Sequence, residues 1–379
     1  WMWPCRSQEG EDARLYAGVK ALSDFCCDLH INVPTGKDSL SLSQQYPNGE
    51  KIISPGTVIV SAGGEVSDIK KVVSPVLVND KNASLYHIDF SFDEQRLGGS
   101  AFAQSLGKVG DDVPTVKNPE YFADAFMAIQ QLIEKGWIMA GHDISAGGLI
   151  TTLLEMCFAN TKGGLHINLH DICADGDIVK TLFAENPGVV IEVSDEHKQE
   201  FKDFMEEQGV GFAKIGYPVE DSRTIVVKAN DTEMTFDIDA LRDTWYKTSY
   251  LLDRKQSFNG KAKERFANYK NQPLEMIFPK SFTGKLSQYG LNPDRWKNGQ
   301  SLMVNGQSPK AAIIREKGTN GEREMAYMLY LADSEGLIAL RQKKVDLHLL
   351  NQKRSYQQRT AIQLVSTIVP IALLALVGL

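Results

Sequence analysis

Between residues 85 and 254, short runs of β-branched and aromatic residues alternate with longer stretches of helical periodicity. This interleaving narrows the available folds more than any other feature of the chain, because each kind of element must bury its apolar side against the other. Leu85–Phe92, Trp137–Ala140, Leu165–Leu169, Gly188–Val193, Phe212–Ile215 and Thr224–Lys228 read as strands. Helices are expected over 118–135, from the pair Gly147-Gly148 to about Phe158, over 195–208 and over 239–254. In the first of these, Tyr121, Phe122, Ala125, Phe126, Ile129, Leu132 and Ile133 form one apolar face. The pattern predicts an α/β or α+β domain and argues against a helical bundle or a β-sandwich.

Outside this block the signals are sparser. Residues 9–30 read as a helix with acids crowding its first turn (Glu9, Glu11, Asp12), and Thr57–Ala62 reads as a strand. Pro75 to Asn82 looks like a crossing between subdomains. Residues 255–308 lose periodicity and gather Lys, Asn, Gln, Gly and Pro, the composition of a connecting segment. A short strand is expected at Lys310–Arg315 and a helix from Glu322 to about Leu331. Residues 339–359 are rich in Lys and Arg, and Ala361 to Leu379 contains no charge. At about 1.5 Å per helical residue, that last run covers most of a bilayer's hydrocarbon core, with its basic flank on the cytoplasmic side. A buried core helix is the alternative.

A chain of 379 residues implies two or three domains. Its net charge of -7 gives no global reason to bind nucleic acid, although a local site can oppose that sign. Five cysteines (Cys5, Cys26, Cys27, Cys157 and Cys173) include no C-x-x-C pair and fit neither a zinc site nor a disulfide framework; reduced, mostly buried thiols are expected. No secretory signal is visible, and the opening Trp1-Met2-Trp3-Pro4 suggests a start inside a longer protein.

Three segments have the residues for phosphate or metal chemistry. In Pro34-Thr35-Gly36-Lys37-Asp38-Ser39-Leu40-Ser41, glycine permits close backbone approach, Lys37 supplies a point charge and Ser39 a neutral donor. It lacks the Walker A spacing, and a turn with a solvated lysine explains it equally well. In His142-Asp143-Ile144-Ser145-Ala146-Gly147-Gly148-Leu149, Asp143 stands where a strand ends and can ligate Mg²⁺. Ser145 stands where a helix begins, a position that favours a phosphate; simple capping of the helix by either residue is the competing reading. Arg96-Leu97-Gly98-Gly99-Ser100-Ala101 opens another helix, its glycine pair most simply allowing close packing. There is no G-x-S-x-G elbow, no H-E-x-x-H and no Rossmann fingerprint, and the seven histidines are dispersed.

In order, W-M-W-P-C…G-E-D-A-R-L-Y, P-T-G-K-D-S-L-S, L-G-G-S-A-F-A-Q, H-D-I-S-A-G-G-L and L-F-A-E-N-P-G-V-V-I resemble the large, single-chain formylglycinamide ribonucleotide amidotransferases over about residues 1–332. The resemblance implies an aminoimidazole ribonucleotide synthetase-like fold: a partial N-subdomain (1–78), a C-subdomain (82–250), a linker (255–308) and the first strand and helix of a class I glutaminase domain (309–332). An unrelated basic segment and candidate membrane helix would follow (333–379). It further implies a cytoplasmic ligase of purine biosynthesis that uses ATP or ADP with Mg²⁺. Asp143 would be a metal ligand, Ser145, Gly36 and Lys37 nucleotide contacts, and Ser39 a contact to formylglycinamide ribonucleotide. Lys37 departs from the asparagine metal ligand of the family's small members. The partners would be nucleotide, formylglycinamide ribonucleotide, the preceding synthetase half and the rest of the glutaminase domain, with a membrane reached only through 361–379. No cysteine follows Ala332, so no glutaminase nucleophile is present and the fragment alone is expected to be inactive. Related synthetases acting on aminoimidazole ribonucleotide or selenide are a second reading, disfavoured by the glutaminase-like start. A catalytically dead, membrane-anchored nucleotide-binding module is a third.

Overall fold

In a computed structural model, the described residues are 1–6, 8–64, 66, 68–173, 176–271, 277–289, 313, 321 and 324–326. They fall in two units, Trp1–Lys285 and Leu286–Leu379. Of the second, the description covers a 3₁₀ turn at Leu286–Tyr289 and helical residues 324–326. The strand expected at Lys310–Arg315 apart from residue 313, most of the helix after Glu322, and the whole of 333–379 lie outside the described residues. Among the described residues, no helix is long and apolar enough to cross a membrane.

The first unit is organised by a mixed seven-stranded sheet. Its strands are β3 (Ala83–Asp89), β4 (Ile138–Ile144), β5 (Gly164–Asn168), β6 (Gly188–Ser194), β7 (Ala213–Val219), β8 (Thr224–Ala229) and β9 (Thr232–Asp237), in the spatial order β4-β6-β3-β7-β5-β8-β9. Only the β5–β8 pair is parallel; the other ladders are antiparallel. Side-chain alternation sends Leu85 and Val190 to one face, and Tyr86, Ile88, Ile191 and Val193 to the other. On the first face lie α4 (Gly148–Phe158), α5 (Ile178–Phe183) and α7 (Ile238–Gln256); on the second lie α3 (Pro119–Lys135) and α6 (Lys198–Glu207). Burial on both faces explains why β6 reads as one apolar run, and the exception within it is Glu192, fully buried.

Local chemistry sets the helix limits. Asn118 caps α3 by accepting from Tyr121 N, Pro119 stands in its first turn, and Gly136 ends it in the left-handed region. Its inward face is Ala125, Ala128, Ile129 and Leu132; burying Ile129 or Leu132 contributes about 1.5–3 kcal/mol each.

Residues before the sheet are built differently. Helix α1 (Glu11–Asp28) has no buried residue, and Tyr16 is 69% exposed. A small hairpin pairs β1 (Ser43–Gln45) with β2 (Lys51–Ile53). The strand expected at Thr57–Ala62 does not form: Thr57 bridges Met2, while Ile59 and Val60 stay exposed. β-propensity without a neighbouring edge yields no ladder.

The stretch after 255 is less loose than its composition suggests. A short helix, α8 (Lys261–Ala267), and a 3₁₀ turn at Tyr269–Asn271 dock on α7. Arg242, buried, stacks over Tyr269 (3.8 Å), Tyr246 (4.9 Å) and Phe266 (5.1 Å) and donates to the Phe266 carbonyl. Nearby, Asp239 accepts from Arg223, Tyr269 and Lys270. Burial raises the Asp239 carboxyl, but these donors outweigh it and hold it at about 2. Of the cysteines, Cys157 and Cys173 are buried and Cys26 half-buried, while Cys5 and Cys27 are exposed, fewer buried than expected. Burial pushes the Cys157 thiol up to about 12, which leaves it inert.

Candidate functional site

At one end of the sheet, three loops that are far apart in sequence meet. The first joins β3 to a short helix, α2 (Ala101–Ser105), through Arg96-Leu97-Gly98-Gly99-Ser100; the Ser100 side chain caps α2 by accepting from Ala103 N. The second, Ser145-Ala146-Gly147, joins edge strand β4 to α4. The third, Ala184-Glu185-Asn186-Pro187, joins α5 to β6. A single oxygen unites them: Glu185 Oε1 accepts from Ala101 N at 2.7 Å and from Gly147 N at 2.8 Å. The neighbouring Asn186 Nδ2 donates to Ser91 Oγ and to the Glu94 carbonyl, and Thr181 Oγ1 bonds Gln95 Oε1. Phe102 and Phe183 stack at 4.6 Å.

The turn into α4 depends on its glycines. Gly147 and Gly148 take φ of +91° and +70°, and a Cβ on Gly148 would lie 2.7 Å from the Leu182 carbonyl oxygen and the Phe183 backbone. These residues therefore let α4 start hard against the end of α5. The N-cap is Gly147 with no side-chain cap, so neither Asp143 nor Ser145 caps the helix. Ser145 is exposed, and its carbonyl accepts from Gly148 N. Thr152 on α4 bonds back to the Asp143 carbonyl at 3.1 Å, tying the helix to the end of the strand.

Asp143 is the last-but-one residue of β4, with its side chain 72% exposed. The ring of His142 stands 3.3 Å from its carboxylate and 3.3 Å from Glu155. Among the described residues no three His, Cys, Asp or Glu side chains converge as a metal site. A lone exposed carboxylate still fits Mg²⁺, which is bound through one or two carboxylates plus phosphate oxygens and water. Gly36 and Lys37 are exposed and Ser39 is half-exposed, on a loop fixed by Ser39 N bonding the Trp1 carbonyl and Trp3 N bonding the Ser39 carbonyl. The Lys37 ammonium donates to the Asp38 carbonyl.

Beside the junction opens a cleft of about 570 Å³. Its lining includes the acids Asp89, Asp93, Glu94 and Asp112 together with Lys180, Asn186, Ile144 and Leu149. Arg96 offsets much of the negative charge, pairing with Asp93 and Asp112, and Lys117 lies 4.0 Å from Asp93. His87, in the same wall, is held below its ordinary pKa by burial, against the opposing pull of Asp89. None of Gly36, Lys37, Ser39, Asp143 and Ser145 lines this cleft; Asp143 and Ser145 flank Ile144, which does. The residues the sequence did not single out are Glu185 and Asn186. Their only signal was membership of the segment L-F-A-E-N-P-G.

Comparison with known proteins first defines a class. Residues 90–229 match the family model "AIR synthase related protein, C-terminal domain", and residues 1–65 match "FGAR-AT PurM_N-like domain". The particular relatives are phosphoribosylformylglycinamidine synthases. The chain is 36% identical over 339 residues to the probable chloroplastic/mitochondrial phosphoribosylformylglycinamidine synthase of Arabidopsis thaliana, an alignment covering 88% of this chain and 23% of that protein. To the Homo sapiens phosphoribosylformylglycinamidine synthase it is 32% identical over 340 residues, covering 88% of this chain and 24% of that protein. The chain thus spans about a quarter of the length of these relatives. A solved PurL of Thermotoga maritima, complexed with FGAR, overlays with a TM-score of 0.44 at 11% identity, covering 64% of this chain and 38% of that one.

Proposed function

We propose that the chain is a fragment of the synthetase region of a phosphoribosylformylglycinamidine synthase, the ligase that converts formylglycinamide ribonucleotide, glutamine and ATP to formylglycinamidine ribonucleotide. The observation that carries this reading is the convergence at Glu185 of the L-G-G-S, H-D-I-S-A-G-G-L and L-F-A-E-N-P-G segments, otherwise scattered along the sequence. Residues 1–78 and 82–250 are then portions of the two synthetase subdomains, and 309–332 the start of a glutaminase domain. ATP or ADP is the nucleotide; Ser145 contacts its phosphate, and Asp143 is the residue to hold Mg²⁺. The ion, when bound, offsets phosphate charge. Gly36 and Lys37 serve the nucleotide and Ser39 the formylglycinamide ribonucleotide.

The exposed end of β4 suits this role because nothing in the turn blocks it. Gly147 and Gly148 carry no side chains, and Asp143 and Ser145 are both exposed beside them, open to an incoming phosphate and its ion.

The test is thermal stabilisation of the chain by ADP with Mg²⁺, followed by Asp143→Ala. A saturating ligand at about 100 times its Kd stabilises by about 2.7 kcal/mol. Loss of the Mg²⁺-dependent part in Asp143→Ala is the expected result. Full affinity in that variant would remove Asp143 from the site, and no stabilisation of the unmodified chain would overturn the nucleotide reading.

A further inference from the structure

We infer that Glu185 is a positioning residue, a clasp that fixes the loop bearing Ser145 to the loop that opens α2. The inference rests on the functional reading only where it concerns nucleotide; the clasp itself stands on geometry. One carboxylate oxygen receives two backbone amides, Ala101 N at 2.7 Å and Gly147 N at 2.8 Å, from loops 46 residues apart in the chain. Two further links between these loops pass through the same short segment. Phe183 stacks on Phe102, and the Leu182 carbonyl and Phe183 backbone lie against the Gly148 Cα. Neither loop has a side-chain bond of its own to the other among the described residues. Removing the Glu185 oxygen therefore frees two amides together and unties the start of α4 from the start of α2.

The chemistry of the group matters as well. A carboxylate bonded to backbone N–H groups gives bonds roughly twice as strong as neutral ones. Its negative charge faces the amino-terminal end of α4, where the helix dipole favours an anion. A glutamine retains an acceptor oxygen at the same reach. An aspartate, one methylene shorter, cannot span to both amides from the same backbone position.

Hydrogen exchange of the full chain, followed by mass spectrometry on the peptides containing Ala101 and Gly147, reads the clasp directly. In Glu185→Ala and Glu185→Asp, both peptides are expected to exchange about tenfold faster, the scale of one lost charge-assisted bond, with the α6 peptide unchanged as a control for folding. Glu185→Gln should stay within about threefold of the unmodified chain. A change in only one peptide, or a Glu185→Gln variant as fast as Glu185→Ala, would overturn the clasp. For Mg²⁺ with ADP, Glu185→Ala should bind about tenfold more weakly and Glu185→Gln within threefold; equal affinity in Glu185→Ala removes the positioning role. A chain that binds no Mg²⁺–ADP at all defeats the proposed function, and the exchange result still decides the clasp.

Discussion

Gly148→Ala is expected to be strongly destabilising, and its cost can be divided in two. The first part is the backbone: φ is +70°, and an L side chain in the left-handed region costs about 1–2 kcal/mol. The second is steric. The new Cβ would sit 2.7 Å from the Leu182 carbonyl oxygen and the Phe183 backbone, neither of which can rotate away as a side chain would. Overpacking of this kind costs about 1–3 kcal/mol, so the total is about 2–5 kcal/mol. Gly136 provides the control. Its φ is +74°, yet nothing lies within 4 Å of a built Cβ, so Gly136→Ala carries the backbone cost alone. Urea unfolding of both variants, compared through the midpoint at constant slope, measures the difference. The expected gap is about 1–3 kcal/mol, with Gly148→Ala the less stable. A gap below about 0.5 kcal/mol would refute the close approach of α4 to α5 as the reason for the glycine pair.

Two further outcomes follow from buried charge. Burial pushes the Glu192 carboxyl up to about 7, against the pull of the Val78, Asp80 and Asn79 backbone amides. The folded chain therefore holds that proton more tightly than the unfolded one. Its contribution is fully present below the ordinary value of 4.5 and is lost as pH rises from there through about 7. Glu192→Gln, which imitates the protonated form, should gain on the unmodified chain by up to about 3 kcal/mol between pH 5 and 8; parallel stability curves would contradict this. Arg242→Ala should cost about 2–4 kcal/mol by leaving the Phe266 carbonyl unpaired and its three aromatic neighbours unstacked. It should also release α8 to tryptic cleavage at Lys261, Lys263 and Arg265, and an unchanged digestion pattern would show that the docking does not depend on Arg242.

Much of the central sheet and its helices was legible in the sequence, because each such element shows its own period. α3 announced itself by apolar spacing, and the structure shows its limits set by Asn118-Pro119 and Gly136. The strand expected at Gly188–Val193 formed as β6, extending one residue to Ser194. β9 was missed because its outward half is polar: Thr232, Glu233, Thr235 and Asp237 are exposed, and only its partner β8 makes it a strand. The converse error was Thr57–Ala62, apolar and β-branched but without a neighbour.

The site divides along the same line. The sequence by itself placed Asp143 and Ser145 where a strand gives way to a helix opened by Gly147-Gly148, because strand, turn and helix preferences are written in adjacent residues. Only the tertiary structure decided that Glu185 holds that turn to the loop before α2. A backbone amide that donates to a side chain leaves no mark on its own residue type, so Ala101 and Gly147 gave no sign of their partner. The same holds for the docking of α8, where a segment of linker-like composition is ordered by one buried guanidinium that arrives from α7.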